Sequence, residues 1–173
     1  MLPSISIRLN NLVKALECTI IPAIDPNNDL AQEQATLMIS HLSLINEQWD
    51  KAFLFEKGTL NRLTAIAGKI LSAARGGVET TKVADDIRQS LDKISTSLYL
   101  TVEETSQQVD QLGRNIEAML NAAEADGVTE FIKELENIVL DYSKTQALRE
   151  RAWFQSAGMD PDRDELPCID EIL

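Results

Sequence analysis

Between Asp29 and Arg75 a single apolar stripe runs without a proline, through Leu42, Ile45, Trp49 and Ala52 and on through Thr59, Leu63, Ile66, Ile70 and Ala73. Steps that alternate between three and four are the period of a helix face, not of a strand. Read as unbroken, the stretch is a helix of about 70 Å at 1.5 Å per residue. A second stripe follows between Thr80 and Asp126, through Ile87, Leu91, Ile94, Leu98, Thr101, Thr105, Leu112, Ile116, Met119 and Ala123. Shorter stripes flank this pair: Leu9, Leu16 and Ile20 before it, and Leu135, Tyr142, Leu148 and Ala152 after it.

Punctuation residues divide the pattern. Pro22 lacks an amide proton and disfavours helical backbone at Ile21, so it ends or kinks the first helix. The turn Asp25-Pro26-Asn27-Asn28 supplies side-chain oxygens to cap the next helix. Gly58 is the one weak point of the first long stripe, but the heptad phase passes straight through it, which favours continuity. Arg75-Gly76-Gly77 and Asp126-Gly127 read as helix-ending turns. The Gly-Gly pair lacks the spaced glycine and the Lys-Ser/Thr of a phosphate loop. The sequence therefore predicts helices over about 4–21, 29–75, 80–126 and 129–156 within one domain, 1–158. An acidic tail, 159–173, follows and reads first as a surface strap and second as a short motif for a protein partner.

Short connections make consecutive helices antiparallel neighbours. The expected fold is all-α: an up-and-down four-helix bundle whose two long central helices extend as an antiparallel helical hairpin. Residues 56–99 would then form a bare two-helix arm. Two helices cover only part of each other's stripe, and an exposed apolar strip marks an interface. A homodimer through Leu60, Leu63, Ile66, Ala67, Ile70, Ile87, Leu91 and Ile94 is the reading that buries it symmetrically. The alternatives are a tail folded over the arm, or long helices that break and fold back.

The same register gathers Trp49, Phe53, Phe55, Tyr99, Trp153 and Phe154, six of the eight aromatics, where bundle becomes arm. Glu56 and Glu103 lie at the same level. Rings with a few inward polar groups describe an aromatic plug, or else a ligand pocket lined by Trp49, Phe53, Glu56, Tyr99, Glu103 and Trp153. In a pocket, Glu56 would carry a raised pKa unless Arg149 or Arg151 reached it.

Composition narrows the chemistry. A formal net charge of −12 repels phosphate backbones and disfavours nucleic acid as a partner. The tail is the most acidic part, with six acids against one arginine. Two cysteines 150 positions apart, Cys18 and Cys168, imply no disulfide framework, and a reducing cytoplasm is the expected compartment. Polar residues interrupt the N-terminal apolar run, and no window reaches the ~18 apolar residues of a membrane span. The lone His41 has Met38 three positions before it, so the paired Glu-x-x-His motif of a di-metal bundle is missing. No cofactor motif, catalytic residue or metal ligand set stands out. The functional reading is a non-enzymatic interaction or scaffold protein that self-associates through 56–99. A small-molecule sensor or carrier at the aromatic junction is the alternative.

Overall fold

A computed structural model describes residues 3–173, all helices and turns, with no strand among the described residues. The helices are α1 (Ile5–Ala15), α2 (Ile21–Ala23), α3 (Asp29–Gln48), α4 (Ala52–Ala73), α5 (Val78–Thr96), α6 (Val102–Asp126) and α7 (Thr129–Trp153). A wide π turn, Leu16–Ile20, joins α1 to α2. Its position follows from Pro22, which cannot bond the carbonyl four residues back and whose ring crowds it. The ladder widens instead, so that the Ile21 amide reaches the Leu16 carbonyl.

Both long predicted helices are broken. The span 29–75 divides at Trp49–Lys51, not at Gly58, which lies inside α4. The span 80–126 divides at Ser97–Thr101. At this second break Thr101 and Glu104 form a reciprocal capping box: the Glu104 amide donates to Thr101 Oγ1 at 3.1 Å, and the Thr101 amide to Glu104 Oε2 at 3.2 Å. The Leu100 amide also donates to Glu104 at 3.1 Å, and these bonds hold the Glu104 carboxyl below its usual range. The predicted 80–126 helix therefore folds back on itself as α5 and α6.

The chain divides into two compact units: residues up to Lys51 with Glu150–Ile172, and Ala52–Arg149 with Leu173. In the first unit α1 and α3 lie antiparallel. Asn46 Nδ2 donates to Asn10 Oδ1 at 3.3 Å and Trp49 Nε1 to Ser6 Oγ at 3.2 Å. Asn28 caps α3 by accepting the Ala31 amide at 3.1 Å. The tail is a strap on this unit: Leu166 and Ile172 are buried, and Asp170 pairs with Lys51 at 2.7 Å. Arg151 forks onto both oxygens of Asp160 at 2.8 and 2.9 Å, which holds that carboxyl down at about 2.

In the second unit α4, α5, α6 and the 129–149 part of α7 surround one core. It contains Leu63, Ala67 and Ile70 of α4, Ile87 of α5, Leu112, Ile116 and Met119 of α6, and Phe131 and Leu135 of α7. Asp126 locks one end. The Glu79 and Thr80 amides donate to its carboxylate at 2.7 and 3.1 Å, and Thr80 Oγ1 donates at 2.6 Å. One acid at the end of α6 thus serves the orphan amides that begin α5, and its pKa is lowered by Thr80 first among those donors. A Cβ on Gly77 would lie 2.6 Å from Asp126 Oδ2, so the Gly-Gly turn is what admits the carboxylate.

The predicted dimer face is corrected by this packing. Leu60, Leu63, Ile66, Ala67, Ile70 and Ile87 are buried within the chain, and Leu91 and Ile94 pack partly buried on the same core. The helices expected to leave that strip bare fold back and cover it, so the reason for pairing two chains there falls away.

Candidate functional site

The residues expected to gather at an aromatic junction are divided between the units. Trp49 and Trp153 belong to the first; Phe53, Glu56, Tyr99 and Glu103 belong to the second. Trp49 is 39% exposed and Phe154 53% exposed, so neither ring seals a core. Phe55 is buried. Glu56 is half-buried; burial chiefly, then Asp110, pushes its pKa up, and Arg149 pulls it down. His41, Cys18 and Cys168 are exposed, and among the described residues no group of His, Cys, Asp and Glu is arranged to hold a metal. No helix among them is long and apolar enough to cross a membrane.

Arg149 of the second unit is a charged side chain only 2% exposed. Its guanidinium donates to Thr59 Oγ1 at 2.9 Å, to Gln146 Oε1 at 3.0 Å and to the Phe55 carbonyl at 3.3 Å, and it lies 4.5 Å from the centre of the Phe55 ring. A buried arginine needs this density of acceptors and ring contact to offset lost hydration. Gly58 makes the approach possible: a Cβ there would stand 2.9 Å from Arg149 Nη2. This explains a glycine that costs about 1 kcal/mol in a helix interior. The cluster ties α7 to α4 at one end of the unit; at the other, just outside the two helices, the Val128 amide donates to the Arg75 carbonyl at 3.0 Å.

Between those ties the two helices leave a groove of about 600 Å³. Its α4 wall is Arg62, Ala65, Ile66 and Lys69, spaced by three, four and seven; its α7 wall includes Glu134, Ile138, Asp141 and Tyr142 on the same rhythm. Ile66, Ile138 and Tyr142 supply apolar contact surface, while Asn137 and Thr145 add neutral hydrogen-bonding groups. Cations thus line one side and acids the other. Among the described residues no ion pair joins Arg62 or Lys69 to Glu134 or Asp141. Arg62 instead donates along its own helix to the Gly58 carbonyl at 3.3 Å.

Sequence reasoning did not single out Arg62, Lys69, Glu134 or Asp141. A signal existed: Arg62 and Lys69 are seven apart, as are Glu134 and Asp141, so each pair sits on one helix face. What linked the pairs was invisible, because unbroken helices would have set residues 129–156 against other partners. Such a groove offers shape, an apolar floor and fixed charges of both signs. No protein-family model, curated protein or solved structure matches the chain.

Proposed function

We propose that this chain is a helical interaction protein without catalytic chemistry of its own, and that it docks a protein partner in the groove between α4 and α7. The observation that carries the reading is the groove itself: apolar in the middle, cationic along Arg62 and Lys69, anionic along Glu134 and Asp141. Its walls stand on the hydrophobic core of the second unit, and rigid walls reduce the ordering cost of binding. This replaces self-association through 56–99 as the mode of interaction.

A photo-crosslinking residue at Ala65, exposed in the groove, tests it in cells that carry the protein. A discrete adduct with a second protein is expected from position 65. Placing the same probe at Gln89, exposed on α5, is expected to give none. Adducts of equal yield from both positions, or only chain–chain adducts from 65, would sink the proposal.

A further inference from the structure

The groove does not stop at Arg62. A second depression of about 570 Å³ shares Arg62 and Ala65 with it and continues along α4 past Asn61, Lys57 and Leu54, where the C-terminal Leu173, and no residue of α7, completes its lining. From Leu54 to Lys69 the α4 wall covers fifteen residues of rise, about 23 Å at 1.5 Å per residue. That length is four turns of helix; α7 walls only the part beside Arg62–Lys69, and a trough between two helices accepts a third side-on at 8–10 Å between axes. A compact small molecule would be left largely in water, since Ala65 and Lys69 are themselves exposed.

The wall is also shaped for close approach. Ala65 is small, and Gly68 lies seven residues after Asn61 on the same side of α4. A Cβ on Gly68 would meet no atom within 4 Å. The charges are distributed by side: Lys57, Arg62 and Lys69 belong to α4, Glu134 and Asp141 to α7. A second copy of this chain does not fit. Two troughs do not fill one another, and each copy carries a formal charge of −12, which opposes their approach.

Resting on the interaction reading, we infer that the occupant is an amphipathic helix of a partner protein, about sixteen residues long. Its apolar face lies on Ala65, Ile66 and Ile138. Its flank toward α4 is acidic and meets Lys57, Arg62 and Lys69; its flank toward α7 is basic and meets Glu134 and Asp141. Helix-in-groove recognition of this kind takes affinity from the apolar face and selectivity from the flanks.

The test uses three synthetic helical peptides with one shared Leu/Ala face and acid/base, acid/acid or base/base flanks. Fluorescence anisotropy measures their binding to the full chain, to R62E/K69E and to A65W. Circular dichroism checks that the variants keep the wild-type helix content, as expected at exposed and half-exposed positions. The acid/base peptide is expected to bind the wild type about tenfold more tightly than either other peptide at low salt, since several rim pairs each contribute a little. R62E/K69E should reverse that order toward base/base. Equal binding of the three peptides, or an order unchanged by R62E/K69E, overturns the two-signed occupant. In that event, loss of all binding in A65W keeps the groove as the docking site, and binding unaffected by A65W removes the groove as well.

Discussion

The two units are built from helices of similar pattern, yet they bury them to different depths. In the second unit Ala67, Ile70, Ile87, Leu112 and Met119 are completely shielded. In the first, α1 buries none of its residues and α3 only Ala35, while Leu30, Leu37, Met38 and Ile45 stand exposed along α3. The difference is one of neighbours. The stripes of α4, α5 and α6 meet in one core with Phe131 and Leu135 of α7, whereas an antiparallel helix pair with a short strap covers only part of each stripe. A helical pair does leave apolar surface wet, and in this molecule the pair is α1 and α3, not residues 56–99.

The largest test of that contrast places the same charge in each unit. Ile87→Asp puts an unpaired carboxylate into a shielded core position and should cost more than about 4 kcal/mol, enough to unfold the second unit. Leu37→Asp, on the exposed face of α3, should stay within about 0.5 kcal/mol. Urea denaturation followed by circular dichroism reads both, and similar losses would abolish the distinction between the units.

A smaller effect is expected at the tie between α4 and α7. Arg149→Ala removes the donor to Thr59 and Phe55 and leaves a space beside a buried ring, for a loss of about 3 kcal/mol. Gly58→Ala should lose about 1 kcal/mol, because displacing the guanidinium outweighs the gain in helix propensity. If Gly58→Ala stabilises the chain in thermal melts, the close approach of Arg149 is not what the glycine serves.

How much of this is legible in the sequence depends on which residues are asked. The all-α class follows from the three-four periodicity, and the Asn28 cap and the turns at Gly77 and Gly127 follow from local chemistry. The continuity of the long helices does not, because heptad phase survives a short break when the next helix resumes near the same rotation. One warning was present: between Leu98 and Leu112 the stripe positions are Thr101 and Thr105, and Thr101-x-x-Glu104 is a capping box. The break at Trp49–Lys51 has no comparable mark, since neither glycine nor proline occurs there. The groove was hidden for the same reason as the breaks. Heptad-spaced charges can be read on one helix, but their counterpart on another requires the fold-back to be known.

The smallest expected effects are in the acid limb, one for each unit. Asp126 and Asp160 both have lowered pKa values, so the unfolded chain takes up their protons first. The stability each contributes is fully present above the ordinary carboxylate value of about 4 and is lost as pH falls through the lower folded value. For Asp160 that window reaches down to about 2. Asp126→Asn should flatten the acid limb of the second unit's melting, and Asp160→Asn that of the strap, read as protease sensitivity of residues 155–165. An unchanged acid limb in both variants would mean that other carboxylates govern it.

On the proposed reading, recognition belongs to the well-packed unit and not to the one with more exposed apolar surface. Amide chemical-shift mapping of the full chain with the acid/base-flanked helical peptide tests this. The predicted result is a continuous set of shifted amides over 54–69 of α4 and 134–145 of α7, with α1 and α3 unmoved. Shifts concentrated at Leu30, Leu37, Met38 and Ile45 of α3, with the α4–α7 groove silent, would contradict it.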